Sequence, residues 1–131
     1  MSEITNLKPA EVWRQFDAIT RVPRPSKKEG KIIAFLEEFA RVHSLQCRKD
    51  SAGNILISKP ATEGYEDRPE VTLQNHMDMV CEKNSDVLFD FDNDPIQTYI
   101  DGSWVRARGT TLGADCGIGM AAALAILASD D

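Results

Sequence analysis

Apolar residues recur at two periods along the chain, and each change of period marks a new element. Val12, Phe16 and Ile19 fall at i, i+4 and i+7, which predicts a helix over Pro9–Val22 with Pro9 in its first turn. Val22-Pro-Arg-Pro-Ser26 ends it, because two prolines so close cannot continue a helix. Ser26 and Glu29 have the spacing of a capping box and open a second helix over about Lys27–His43. Its apolar stripe is Ile32, Ile33, Leu36, Phe39 and Ala40. The period then drops to two: Gln46–Asp50 and Asn54–Lys59 read as short strands around the turn Ser51-Ala-Gly53. Pro60–Pro69 is a polar surface loop, and Glu70–Asn75 is expected as a further strand. After the polar stretch Cys81–Pro95, Ile96–Ile100 and Ser103–Ala107 flank Asp101-Gly102, a two-residue hairpin signal. A glycine-rich loop over 109–119 then runs into Met120–Ala128, an apolar stretch suited to a buried helix. The order predicts an α/β domain with a mixed sheet flanked by helices.

Composition narrows the class of partner. The 131 residues suffice for one domain with a hydrophobic core. A net charge of −6 argues against a nucleic-acid surface or an anionic membrane surface. No apolar run is long enough to cross a bilayer. Charged residues punctuate the first thirty positions, so no signal-peptide core is expected there. Cys47, Cys81 and Cys116 are odd in number and contain no Cys-x-x-Cys pair, which suits free thiols in a reducing compartment. The expectation is a soluble cytoplasmic protein.

The candidate chemistry sits at the end of the expected third strand. Val71–Val80 ends in His76-x-Asp78, and a strand's period of two would project both side chains from one face. Neutral imidazole is the commonest ligand for zinc-like ions. A metal-bound histidine usually gives its other ring N–H to a carboxylate or carbonyl. Asp78 is therefore placed either to support His76 or to ligate directly. Asp115 lies in the glycine-rich loop just before the apolar helix, where ligands commonly bind in α/β folds. Taken alone, the first feature is also compatible with a solvated strand end, and the second with an aspartate stabilised by a helix dipole.

Other motifs carry less. The glycine-rich loop lacks the Gly-Lys-Ser/Thr ending of a P-loop, and its glycines are out of phase with Gly-x-Gly-x-x-Gly. Asp90-Phe-Asp92-Asn-Asp94 imitates the start of an EF-hand loop, but Pro95 stands where glycine is required and Asp101 where glutamate is. It reads as a solvated acidic loop. His43 closes the second helix as a dipole partner.

Together, Leu73-Gln-Asn-His-Met-Asp-Met-Val80 and Gly109-Thr-Thr-Leu-Gly-Ala-Asp-Cys-Gly-Ile-Gly-Met-Ala121 resemble the co-catalytic zinc peptidases. That clan includes carboxypeptidases, aminoacylases and dipeptidases, and the likeness is nearest to the bacterial cytosolic non-specific dipeptidases. Val22-Pro-Arg-Pro-Ser26, Gly53-Asn-Ile-Leu-Ile57, Lys59-Pro-Ala61 and Asp94-Pro-Ile-Gln97 with Tyr99-Ile-Asp-Gly102 support it, and it covers about Leu7–Ala128. The resemblance implies hydrolysis of dipeptides, Xaa-His among them, by a water activated between two zinc ions, with cobalt or manganese as substitutes. Aminoacylases and tripeptidases are the alternative within the clan, and a non-catalytic α/β binding domain the alternative outside it. By resemblance His76 ligates one zinc, Asp115 bridges both, and Asp78 holds His76 as part of the catalytic apparatus. A carboxylate can span two ions about 3.5–4 Å apart, which agrees. The family also places a cis peptide bond directly after its bridging aspartate. Its general base belongs to a Glu-Glu pair after the next strand, whereas Glu37-Glu38 lies upstream. Residues 1–131 are accordingly expected to be the N-terminal portion of a catalytic domain, from an enzyme that is a homodimer at full length and acts on small peptides.

Overall fold

The computed structural model describes residues 2–131. A single 3₁₀ turn at Glu3–Asn6 precedes α1 (Ala10–Thr20) and α2 (Gly30–Val42). Strands β1 (Gln46–Lys49), β2 (Ile55–Ser58), β3 (Thr98–Asp101) and β4 (Trp104–Ala107) follow, then α3 (Ala114–Ala128). Helix α1, the first hairpin and the Asp101-Gly102 hairpin stand where the periodicity placed them, whereas α3 begins at Ala114, within the stretch expected as a glycine-rich loop. The 3₁₀ turn carries no periodic signal at four residues, yet it buries Ile4 completely.

The α/β class holds, but the sheet is small and divided. β1 pairs with β2 and β3 with β4, both antiparallel, as two separate two-stranded sheets. The mixed sheet and a strand at Glu70–Asn75 are therefore corrected. Among the described residues the one parallel pairing is an isolated bridge between Pro25 and Met79. Residues 70–75 are exposed throughout and join no ladder. Their alternating pattern has nothing to bury against, and Val71 and Leu73 stay open to solvent.

The core forms where α1 packs on α3 and α2 closes one side. Ile4, Phe16, Ile19, Ile32, Leu36, Phe39, Met120, Ala121 and Leu124 are its buried members. The expectation of a buried last helix holds for one face only. Met120, Ala121 and Leu124 are buried, whereas Ile118 and Ile126 are exposed.

The capping box is also corrected. Helix α2 begins at Gly30 rather than Lys27, with Glu29 as its cap residue. Lys27 adopts a left-handed φ of 73°, so no helical turn can start from Ser26. Glu29 does reach back, accepting a hydrogen bond from the Lys27 N–H at 2.9 Å. The Ser26 hydroxyl is engaged elsewhere, at Asp78.

Candidate metal centre

Two chain segments meet, and each is fixed by backbone bonds rather than by a sheet. On one side the Met79 N–H donates to the Arg24 carbonyl at 3.0 Å, and the Ser26 N–H donates to the Met79 carbonyl at 3.4 Å. The proline-rich stop after α1 therefore braces the segment carrying His76 and Asp78. On the other side the Thr111 hydroxyl donates to the Val80 carbonyl at 2.7 Å, and the Thr111 N–H to the Glu82 carbonyl at 2.9 Å. These bonds dock the glycine-rich loop on the chain just past Asp78. Gly113 then turns with φ 74°, a left-handed conformation that favours glycine. Asp115 breaks the start of α3 with φ −94° and ψ 110°, and the Asp115–Cys116 peptide is cis, as the family pattern implies.

His76 lies between two aspartates. Its Nε2 is 2.9 Å from Asp115 Oδ1. Its Nδ1 is 3.0 Å from the Asp78 carbonyl and 3.2 Å from Asp78 Oδ1. Both ring nitrogens thus face oxygen acceptors. A neutral imidazole has one N–H, so it satisfies one side only. A second proton on the ring satisfies both sides. The hydrogen bond to Asp115 raises the His76 pKa, partial burial opposes it, and Asp78 adds to the rise. The Ser26 hydroxyl, 2.5 Å from Asp78 Oδ2, holds Asp78 below the usual carboxylate range; burial opposes this and His76 reinforces it. Asp115 itself stands open, its side chain 97% exposed.

The three candidate residues of the sequence are brought together. Asp78 faces the Nδ1 side of His76 and Asp115 the Nε2 side. The Cys116 thiol donates to Asn75 Oδ1 at 3.5 Å, and the Cys81 thiol to the Met79 carbonyl at 3.6 Å. His43 stacks on Phe39 at the end of α2. Glu38 pairs with Arg41 at 2.6 Å and Glu37 with Lys49 at 3.5 Å on the surface of α2. Asp90, Asp92 and Asp94 form a self-bonded surface loop.

Two residues went unassigned in the sequence reading. Ser26 read as a helix cap, and Arg24 as part of a stop signal. Arg24 is 1% exposed and donates to three carbonyls: Met77 and Asp78 from Nη1, each at 3.1 Å, and Gly113 from Nη2 at 2.7 Å. The local sequence offers no cue to partners so far away.

His76 and Asp115 fit two positions of a zinc shell in donor chemistry. Structural and catalytic zinc sites use at least three protein ligands. Among the described residues no group of three His, Cys, Asp or Glu side chains is placed to hold an ion.

The chain is similar to bacterial dipeptidases. Over all 131 residues it is 51% identical to the cytosol non-specific dipeptidase of Escherichia coli, covering 27% of that protein. Its structure superposes on 26% of the aminoacylhistidine dipeptidase of Vibrio alginolyticus with a TM-score of 0.96 and 52% identity over 99% of this chain. A tripeptidase of Staphylococcus aureus shares the fold at a TM-score of 0.71 and 20% identity, over 89% of this chain and 31% of that one. No protein-family model matches the chain. It spans about a quarter of the length of the dipeptidases it matches.

Proposed function

We propose that this chain supplies part of a two-zinc centre in a cytosolic enzyme that hydrolyses dipeptides. The observation that carries the reading is His76 held between Asp78 and Asp115, with both ring nitrogens facing oxygens. The likeness to two dipeptidases supports the substrate class. The name of the Escherichia coli protein supports the location, as do three free cysteines. Among the described residues no helix is long and apolar enough to cross a membrane. The dipeptidase reading stands ahead of the tripeptidase one because the tripeptidase likeness, at 20% identity, extends to the fold alone. Residues 1–131 then form the first part of the catalytic domain, and homodimerisation follows from the resemblance alone.

In this reading His76 would hold an ion with its free ring nitrogen, while Asp78 fixes the Nδ1–H. Ser26 keeps Asp78 ionised and aimed at the ring. Asp115 offers two oxygens, enough to touch two ions. Zinc ions so held would supply Lewis-acid chemistry, acidifying a water and polarising the scissile carbonyl. The chain's own part is to orient these donors. Proton transfer belongs to a carboxylate outside the ion-paired Glu37–Glu38.

The test is dipeptide hydrolysis and zinc content in the enzyme of the relatives' length, with His76→Ala and Asp115→Ala. Both variants should lose bound zinc and at least about a thousandfold in kcat/KM, about 4 kcal/mol of transition-state stabilisation. Full zinc content and activity in either variant would overturn the reading.

A further inference from the structure

The two halves of the candidate centre are joined by one side chain. Arg24 leaves the backbone beside Met79, and the Met79 N–H is bonded to its carbonyl. Its Nη1 holds the carbonyls of Met77 and Asp78, on either side of the support for His76. Its Nη2 holds the carbonyl of Gly113, two residues before Asp115. A Cβ on Gly113 would lie 2.6 Å from Nη2 and one on Gly117 2.7 Å from it, so the loop and the start of α3 close directly on the guanidinium.

Stability alone does not account for this group. A buried guanidinium is costly to desolvate, and an apolar side chain of similar volume is often at least as stabilising. Here Nε also has no hydrogen-bond partner among the described residues. What arginine offers is a rigid planar fork that can hold two segments at a fixed separation. We propose that Arg24 is a positioning residue that sets the distance between His76 and Asp115, and so governs how well the pair takes up a divalent cation. The proposal rests on the reading of that pair as metal donors. Lysine keeps the charge but is a single point donor, and it cannot bridge Met77 and Asp78 to Gly113 in the same way.

The test uses the 131-residue chain and Arg24→Lys, with Gly117→Ala as a second variant that displaces Nη2 while keeping the arginine. Ile32→Ala, a buried position on α2, serves as a control for lost core packing. In the metal-free chain, nuclear Overhauser contacts between the His76 ring and Asp115 should weaken in both test variants and persist in the control. Zinc titration followed on the His76 ring should show affinity reduced by about tenfold or more in both, the scale of loss when groups behind a metal ligand are removed. Unchanged contacts in Arg24→Lys overturn the proposal whether or not zinc binds. If that variant does not fold, unchanged contacts in Gly117→Ala do the same. A wild-type chain showing no zinc response at His76 instead counts against the metal reading, and the metal-free contacts still decide the role of Arg24.

Discussion

At the scale of single residues, the three site side chains have different duties, and substitution separates them. In the proposed centre His76→Ala would remove a ligand, and it should strip the metal from the enzyme. Asp78→Ala leaves the ligand but loosens its orientation, so a loss of about 10–100-fold in affinity or activity is expected. Equal loss of metal in the two variants, read by elemental analysis, would make Asp78 a direct ligand. In the proposed centre a proton and a metal ion would compete for His76. Its pKa is raised in the folded chain, so the protonated contact with Asp115 contributes stability fully below the unfolded value of about 6.5. That contribution is lost as pH rises through the higher folded value. Zinc uptake has the opposite sign: the apparent Kd should fall about tenfold per pH unit until the folded value is passed, then level off. A pH-independent Kd across that window would show that the ring carries no exchangeable proton at the site.

At the scale of elements, α1 anchors the brace from within. Phe16 is 1% exposed, meets Trp13 edge-on, and would lie 3.2 Å from a Cβ on Gly117. Phe16→Ala should cost about 3–5 kcal/mol in urea unfolding. Asp17 on the same helix gives an acid signature. Burial pushes its pKa up, but the Ser2 hydroxyl and the Arg21 guanidinium at 3.0 Å outweigh that and lower it. Its contribution is therefore present above the unfolded carboxylate value and lost as pH falls through the folded one. Asp17→Asn should flatten the acid limb of the stability curve as pH falls below the ordinary aspartate value of about 3.8. An acid limb unchanged in the variant would remove Asp17 from the account. The helices and hairpins were legible in the sequence because their signals are local: the i, i+4, i+7 pattern of α1, and Asp101-Gly102 between alternating residues. Residues 70–75 misled because alternation records a face to be buried, not the element that buries it. Ser26 misled for a related reason. Its spacing to Glu29 fits a cap, but Asp78, 52 positions away, takes the hydroxyl.

At the scale of the whole molecule, the candidate centre is a junction of three distant stretches: 24–26, 76–79 and 111–116. The sequence made the two donor-bearing stretches visible because each has a chemical signature. The stretch that aligns them has none, since an arginine between two prolines looks like a turn until its partners are seen. Among the described residues His76 and Asp115 are the only two candidate donors brought together, so the 131 residues should show no dipeptidase activity and bind zinc weakly. Turnover by the purified chain with added zinc would contradict that. The central claim, that His76 and Asp115 take up one ion between them, is tested most directly by zinc titration of the wild-type chain under nuclear magnetic resonance. The account predicts that the His76 ring and the amides of 75–79 and 113–117 shift together along one saturable isotherm. Shifts confined to one of the two segments, or centred on the acidic loop at 90–94, would contradict it.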